Sequence, residues 1–140
     1  MASETFPFEI LTPDHRFFSG EIEALTFTAA DEGKWTVLKG HAPMLAVLRP
    51  GSLSILQDGK WRDAINSEGY MEVGPHKVVL FVQTCEWPED IDRKRAERAK
   101  ARAEEELRQS HSQAQFRANQ IMLARAMARL RNSRNSVNID

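Results

Sequence analysis

Arginine side chains in the last third of the chain are spaced so that they could bind a chain of phosphate groups. In the first helical segment, the i, i+3, i+7 and i+10 positions of one helix face are Asp92, Arg95, Ala99 and Arg102. A second segment places Arg125 and Arg129 at i and i+4. If the two segments fold as antiparallel helices, four guanidinium groups converge beside one carboxylate, and their forked donors suit polyphosphate oxygens. Asp92 would accept from an exocyclic amine or a ribose, and the small Ala96 would let the ligand approach closely.

Exposed ion pairs on a solvated helix would produce the same spacing. Residues 86–107 hold four arginines, two lysines and eight carboxylates, and no large apolar residue occurs between Ile91 and Leu107. Ion pairs of this kind contribute about 0.3–0.5 kcal/mol each. On physical grounds alone, the sequence favours this simpler interpretation.

Charge, glycine and proline divide the chain into two parts near Trp87-Pro88. Residues 1–87 carry 7 Lys+Arg and 12 Asp+Glu, a net charge of −5, whereas residues 88–140 carry 12 and 8, a net charge of +4. All seven glycines lie between Gly20 and Gly74, and no proline follows Pro88. Since glycine and proline mark turns and interrupt helices, we predict a turn-rich domain at 1–87 and a helical one at 88–140.

The first part has the pattern of an all-β domain. Short apolar or β-branched stretches recur between turn signals at Phe6–Leu11, Ile22–Ala29, Trp35–Leu38, Ser52–Gln57, Tyr70–Val73 and Lys77–Gln83. Asp58-Gly59 predicts a hairpin, because a type I′ turn needs positive φ angles. Evenly spaced short strands favour an antiparallel sandwich or flattened barrel.

No catalytic or metal-binding motif accompanies these strands. The sequence contains no GxxxxGK[ST], GxGxxG, HExxH or CxxC pattern, and its four histidines lack metal-ligand spacing. Cys85 is the only cysteine, which excludes an intrachain disulfide and favours a reducing compartment. We therefore expect a binding or structural protein with no required cofactor, not an enzyme acting alone.

The second part predicts an antiparallel helical hairpin. Pro88 followed by two acidic residues is a typical helix start, and a helix is predicted from Ile91 to about Gln109. A reversal is predicted at Ser110–Ser112, a second helix at Gln113–Arg131 and a frayed polar tail at Asn132–Asp140. The predicted packing stripes are Ala96, Ala99, Ala103 and Leu107 on the first helix, and Phe116, Leu123, Met127 and Leu130 on the second. Because a buried alanine methyl contributes only about 0.8 kcal/mol, such a hairpin would dock weakly and could move.

Three stretches in the same order resemble the epsilon subunit of bacterial F-type ATP synthases. They are FEILTPDHRFFSGEIEALTFTA, DEGKWTVLKGHAPMLAVLRPG and IDRKRAERAKARAEEEL. The family pattern Ile/Leu-Asp-x-x-Arg-Ala is met by Ile91, Asp92, Arg95 and Ala96. The resemblance extends roughly from Phe6 to Leu130.

The resemblance implies a rotor subunit of the central stalk that links proton flow to ATP synthesis. Its β domain would contact the gamma subunit and the c-ring loops, with His41, Met44, Leu45 and Leu48 at the partner surface. Its hairpin would block ATP hydrolysis when it extends toward the catalytic beta and alpha subunits. The implied location is the cytoplasmic face of the bacterial cell membrane, where the chain is peripheral and held only through the complex.

The resemblance also implies ATP as a regulatory ligand that is not hydrolysed and that favours the folded hairpin. The residues to which the resemblance assigns ATP binding are Glu86, Ile91, Asp92, Arg95, Ala96, Arg102, Arg125 and Arg129.

Two other functions are compatible with parts of the sequence. A purely structural coupling subunit would keep its hairpin in one fixed position, and the sequence does not separate it from a switch. A basic helix at Arg93–Arg102 could bind nucleic acid, but the eight carboxylates and the absence of a leucine heptad argue against it.

Overall fold

The chain forms two compact units, Met1–Cys85 and Glu86–Asp140. The structure is a computed structural model that describes residues 4–31 and 33–137, without the side chains of 133–137. The first unit is a two-sheet sandwich and the second is a hairpin of two helices, which confirms the predicted fold class. The predicted tail at 138–140 lies outside the described residues.

Among the described residues, ten strands build the two sheets of the sandwich. They are β1 (Phe6–Leu11), β2 (Arg16–Ile22), β3 (Ala24–Thr28), β4 (Lys34–Val37), β5 (Met44–Leu48), β6 (Gly51–Gln57), β7 (Lys60–Asn66), β8 (Gly69–Val73), β9 (Val78–Val82) and β10 (Cys85–Glu86). One sheet has the order β2-β1-β9-β8-β5, and the other has the order β10-β7-β6-β3-β4. The β1–β9 pair is parallel, so the expectation of a wholly antiparallel sandwich is wrong at this pair.

Side chains that alternate along the strands fill the core between the sheets. Phe8 and Ile10 of β1 are completely buried, and Leu25, Phe27 and Leu80 are buried to within 1% of their area. The period of two places every second residue on the same face, so that these side chains meet in the interior.

The β6–β7 hairpin turns at Asp58-Gly59, as the sequence predicts. Asp58 has φ 53° and Gly59 has φ 74°, and Gln57 pairs with Lys60 across the two-residue loop. Two consecutive positive φ angles are the requirement of a type I′ turn.

The helical unit begins differently from the prediction. Pro88–Asp90 forms a separate 3-10 turn, Ile91 is extended, and α1 spans Arg93–Arg108. Asp92 is the N-cap of α1, because its Oδ1 accepts a hydrogen bond from the Arg95 amide at 3.1 Å. A helix start at Ile91 is therefore wrong by two residues, since the extended Ile91 and the capping Asp92 precede the first turn.

The second helix, α2, spans Gln113–Val137 and so continues six residues beyond the predicted end at Arg131. Polar residues alone did not end it, because neither glycine nor proline occurs after Pro88. Ser112 caps its start by accepting from the Gln115 amide. At the turn of the hairpin, Asn119 Nδ2 donates to the Glu106 carbonyl and to Ser110 Oγ, both at 3.0 Å, and ties α2 to the end of α1.

The predicted packing stripes of the hairpin are only partly correct. Ala96, Ala103 and Leu130 are buried, and Leu107 and Leu123 are half-buried. Ala99, Phe116 and Met127 are exposed, and the buried positions of α2 include Ala126 and Ala128 instead. Ala99 lies about 60° around the helix from Ala96, which moves it from the buried seam to the open face.

Candidate anion-binding pocket of the hairpin

A pocket of about 540 Å³ lies between α1 and α2, wholly within the helical unit. Its lining residues are Asp92, Arg95, Arg98, Ala99, Arg102, Met122, Arg125 and Arg129. We refer to it as the arginine pocket. Its volume is in the range of small-molecule sites, and five of its eight lining residues are permanent cations.

The α1 wall of the arginine pocket begins at the capping residue. Asp92 fixes the first turn, and the helical repeat then carries Arg95, Ala99 and Arg102 along one face. Ala99 contributes only a methyl group, so that space remains between the long arginine side chains. Arg102 Nε donates to Glu106 Oε1 at 3.1 Å, one turn further along the helix.

The α2 wall consists of three residues that share one face, Met122, Arg125 and Arg129. Arg129 Nε donates to both carboxylate oxygens of Glu86, at 3.1 and 3.2 Å, and both side chains are partly buried. Burial, and then the nearby Arg129 charge, lower the pKa of Arg125. Each of these causes disfavours the charged guanidinium, so an anion in the pocket would relieve the repulsion.

Positive charge dominates the arginine pocket. Five guanidinium groups face one carboxylate among the lining residues, and that carboxylate already accepts the Arg95 amide. Two acids that do not line the pocket partly neutralise its charge: Glu106 pairs with Arg102, and Glu86 pairs with Arg129. Within the described part of the chain, Arg95 and Arg98 have no carboxylate within ion-pair distance. This arrangement suits a polyanion with several oxygens that accept from forked donors.

The structure brings five of the eight predicted nucleotide-binding residues together. Asp92, Arg95, Arg102, Arg125 and Arg129 line the arginine pocket. The other three predicted residues are placed differently and do not line it. Their role in binding ATP, like that of the five, stays a prediction.

Glu86, Ile91 and Ala96 are the three predicted residues outside the lining. Glu86 reaches the pocket only through Arg129, and Ile91 is half-buried in the extended segment before the cap. Ala96 is 3% exposed and does not line the pocket, so its contact with a ligand stays a prediction. The alanine that lines the pocket is Ala99, which is exposed.

Sequence reasoning missed Arg98 and Met122 as lining residues. Arg98 lies three residues after Arg95 and four before Arg102, and this spacing places it beside them on a helix. Met122 likewise lies three residues before Arg125. Both spacings were present in the sequence. The predicted helix face consisted of Asp92, Arg95, Ala99 and Arg102, however, and so it left out Arg98.

The four residues of the predicted partner surface differ in their exposure to solvent. Leu45 is 67% exposed, and His41 and Met44 are half-buried. Leu48 is only 2% exposed, so its side chain cannot contact a partner without unfolding β5, and its assignment is corrected. The alternation of β5 directs Leu45 and Val47 outward and Ala46 and Leu48 inward. Contact of the remaining residues with a partner stays a prediction.

Tyr70 extends the outward apolar face of β5 onto the neighbouring strand. It pairs with Val47 across β5 and β8, and its ring stacks on Phe81 with centroids 4.9 Å apart. Val47 is 61% and Tyr70 46% exposed, although neither was predicted as a contact residue.

The described residues also bear on metal binding and on the crossing of a membrane. Among residues 4–31 and 33–137, no group of three or more His, Cys, Asp or Glu side chains could hold a metal ion. The helices of that same part of the chain are not long and apolar enough to cross a membrane.

A two-sheet sandwich followed by a charged helical hairpin is the architecture of a known family of subunits. The beta-sandwich domain of the ATP synthase delta/epsilon chain matches residues 5–88, and the long alpha-helix domain of the same chain matches residues 89–133. The two matches cover most of the sequence, and the chain belongs to the ATP synthase delta/epsilon chain family.

Curated relatives narrow this assignment to the epsilon type. The chain is 47% identical to the ATP synthase epsilon chain of Ruminiclostridium cellulolyticum, over 90% of this chain and 93% of that one. It is 40% identical to the epsilon chain of Caldanaerobacter subterraneus subsp. tengcongensis, over 91% and 93% of the two lengths. Such chains are non-catalytic subunits, so the prediction that the protein is not an enzyme is confirmed.

Solved structures share the fold at low sequence identity. A chain of the Euglena gracilis mitochondrial ATP synthase superposes with a TM-score of 0.71 at 23% identity, covering 89% of this chain and 78% of that one. A chain from the central stalk and c-ring structure of the Tetrahymena thermophila enzyme gives 0.64 at 16% identity, covering 95% and 99%.

Proposed function

We propose that the chain is a central-stalk rotor subunit of a proton-translocating F-type ATP synthase that couples ion flow to ATP synthesis. Its membership of the delta/epsilon family and its 47% identity to a bacterial epsilon chain support this role. The gamma subunit and the c-ring loops are the proposed partners of the β unit, and the catalytic beta and alpha subunits those of the hairpin. The proposed location is the cytoplasmic face of a bacterial membrane, to which the chain is held through the complex.

We further propose that the hairpin inhibits ATP hydrolysis and that ATP, bound in the arginine pocket and not hydrolysed, controls it. The convergence of five guanidinium groups around a cavity of about 540 Å³ is the observation that carries this proposal. Burial and the Arg129 charge lower the pKa of Arg125, and a bound anion in the pocket would offset both effects. The pocket exists only where α1 and α2 lie side by side, so a ligand there stabilises the folded hairpin.

The packing of the helical unit is compatible with a hairpin that moves. Among its described side chains, the buried apolar ones are Ala96, Ala103, Ala126, Ala128 and Leu130. Four of these five are alanines, which bury little surface, so competing arrangements differ by little free energy. Bound ATP stabilises the folded hairpin by RT ln(1 + [ATP]/Kd). To change the ratio of folded to extended hairpin from 1:99 to 99:1, ATP must bind the folded form more favourably by about 5.5 kcal/mol.

A fixed hairpin is the second candidate, and two sets of contacts favour it. Arg129 is held by Glu86, and Asn119 ties the two helices together at their turn. In that case the hairpin is structural, and the arginine pocket has no regulatory ligand.

Calorimetric titration of the full chain with ATP separates the two candidates. We expect saturable one-to-one binding that both Arg102→Ala and Arg129→Ala weaken. Arg93→Ala is the matched control, because Arg93 lies on the same helix, pairs with Glu97 and does not line the pocket. Absence of binding at millimolar ATP would eliminate the sensor and favour the fixed hairpin.

A further inference from the structure

We propose that a second pocket, at one end of the β sandwich, binds a phosphate group or a similar small oxyanion, and that protonation of His41 strengthens this binding. We refer to it as the end pocket. Its charged or titratable lining residues are Glu21, Lys39, His41, His76 and Lys77. All of its lining residues belong to the unit Met1–Cys85, so the inference is independent of the arginine pocket.

Strand pairing brings two loops together at this end of the sandwich. Met44, the first residue of β5, pairs with Val73, the last residue of β8, so the loop before β5 adjoins the turn after β8. The Gly74 amide closes that turn by donating to the carbonyl of residue 77 at 2.9 Å. The loop and the turn contribute the four basic side chains of the end pocket, which are Lys39, His41, His76 and Lys77.

The end pocket has an apolar floor and a volume of about 250 Å³. The residues of the floor are each 6% exposed or less, and they are Phe6, Val37, Val73 and Val78. Because an apolar floor screens charge less than bulk water does, the cations above it act more strongly on an anion. Sites for drug-sized ligands have volumes of roughly 300–1,000 Å³, so the end pocket suits a small oxyanion better than a nucleotide.

The charge of the end pocket is opposite in sign to that of the domain around it. Residues 1–87 carry 7 Lys+Arg and 12 Asp+Glu, a net charge of −5. In the pocket, Lys39 and Lys77 oppose a single acid, Glu21, which gives +1 with neutral histidines and +3 when both are protonated. Within the described residues, neither lysine has a carboxylate within ion-pair distance. The lining can therefore attract an anion although the domain as a whole repels one.

A metal ion is a poorer match for these side chains. Two histidines and one glutamate are ordinary metal ligands, but no group of three such side chains in the described part of the chain could hold a metal. The two lysines of the lining would also repel a cation.

The hydrogen bond of His41 makes the affinity depend on pH. Its Nδ1 lies 2.7 Å from the Ala42 carbonyl oxygen, which can only accept, so Nδ1 carries a proton. The neutral ring then leaves Nε2 as an acceptor that repels an oxyanion, whereas the protonated ring donates from Nε2. Only histidine ordinarily changes charge between about pH 5 and 8, and the other titratable lining groups are Glu21, Lys39, His76 and Lys77. Binding should therefore strengthen as the pH falls and His41 gains its second ring proton.

The test is a titration of the full, 15N-labelled chain with sodium sulfate, followed by NMR at fixed ionic strength. Sulfate keeps its charge between about pH 5.5 and 8, so a change in affinity reports on the protein and not on the probe. We expect saturable shifts of the amides of Gly40, His41 and Gly74, which line the end pocket. Binding should be about threefold tighter or more at the lower pH.

Variants identify the side chains that bind. Lys39→Gln and Lys77→Gln should each weaken sulfate binding about threefold to fivefold, since each removes an exposed cation. Glu21→Gln should strengthen binding, a gain that damage to the fold would not give. His41→Gln should reduce the pH dependence. Lys60→Gln is the matched control, because Lys60 is an exposed cation of the same unit and does not line the end pocket.

Two further probes distinguish the source of the anion. Inorganic phosphate tests the free ion, and vesicles of phosphatidylcholine with phosphatidic acid test a lipid headgroup. Co-sedimentation with these vesicles that the Lys39→Gln, Lys77→Gln double variant loses would identify the headgroup as the ligand. Binding of phosphate without co-sedimentation would identify the free ion, and either result supports the site.

Three outcomes would count against the inference. Absence of binding to sulfate, phosphate and vesicles alike would overturn it. Shifts confined to α1 and α2 would also overturn it, because the anion would then occupy the arginine pocket. An affinity for sulfate that does not rise at lower pH would overturn the role of His41.

Discussion

At the scale of single residues, Asp92 combines a structural role with a position in the arginine pocket. Its Oδ1 caps α1 through the Arg95 amide, and the residue is also the only acid in the lining. A substitution at this position therefore changes both helix stability and pocket charge. Asparagine and alanine separate the two effects, because only asparagine retains a capping oxygen.

We predict that Asp92→Ala lowers the stability of the hairpin by about 1 kcal/mol, while Asp92→Asn leaves it nearly unchanged. Thermal melting of each full-length variant, followed through the circular dichroism signal of its helices, would measure both changes in stability. Equal destabilisation by the two substitutions would show that the charge of Asp92, and not the cap, stabilises the helix.

A second prediction at this scale concerns how the stability of α1 depends on pH. The hydrogen bond and charge of Arg108 lower the pKa of Glu105 below its ordinary value of 4.5. Because the folded-state pKa is depressed, this stabilisation is present above the ordinary pKa and is lost as the pH falls through the folded-state pKa. The effect should be small, since Glu105 is exposed to solvent.

Carboxyl chemical shifts in an NMR pH titration would test this assignment. In the wild type, Glu105 should titrate at lower pH than in Arg108→Gln, where its pKa should return toward the ordinary value. Arg93→Gln is again the control, because Arg93 does not contact Glu105. An unchanged titration in Arg108→Gln would contradict the assigned cause.

At the scale of elements, the sequence predicted strands better than helix faces. The regular alternation of Phe6, Phe8 and Ile10 identified β1 with its correct ends. β2 was missed, because Ser19 and Gly20 interrupt its apolar residues and its side chains are mostly exposed or half-buried. The parallel β1–β9 pair was also missed, since pairing between residues far apart in sequence leaves no local signal.

The faces of the helices were ambiguous in the sequence, and the start of α1 and the end of α2 were also misplaced. Alanine occurs on several sides of both helices, so the pattern alone could not decide which methyl groups would be buried. The exposed positions of Ala99, Phe116 and Met127 follow from this ambiguity. The arginine spacing was more informative, because residues at i+3 and i+4 must be neighbours on any helix, whichever face is buried.

Strand β5 permits a prediction that contrasts two leucines in one element. Leu45 is exposed and Leu48 is buried, although three positions separate them in a single strand. We predict that Leu48→Ala lowers the free energy of unfolding by about 2–5 kcal/mol through loss of core contacts, whereas Leu45→Ala changes it by less than about 0.5 kcal/mol. Urea denaturation of the full chain would measure both.

The same pair tests the proposed contact of β5 with the gamma subunit. We expect Leu45→Arg to weaken co-purification with gamma without altering the urea midpoint, because its side chain points to solvent. A variant that remains as stable as wild type and binds gamma normally would remove Leu45 from the partner surface.

At the scale of the whole molecule, the two units differ in how they are stabilised. The sandwich buries large side chains of both sheets, including Phe8, Phe27 and Met71. In the described part of the helical unit, the buried apolar residues are four alanines and Leu130. Helices of this length are marginal in water without substantial apolar burial. The two units should therefore differ sharply when each is produced alone.

We predict that a fragment of residues 1–87 folds and melts cooperatively, whereas a fragment of residues 86–140 has low helicity in dilute buffer. Circular dichroism and calorimetric melting of the two fragments would measure this difference. Glu86 is kept in the second fragment, because it pairs with Arg129. Tripolyphosphate should raise the helicity of the hairpin fragment, since a ligand of the folded form shifts the equilibrium by RT ln(1 + [L]/Kd). The same addition to an Arg125→Gln, Arg129→Gln fragment should have little effect. A hairpin fragment that is fully helical without ligand would show that the alanine seam suffices to hold it, and weak packing could then no longer explain a mobile hairpin.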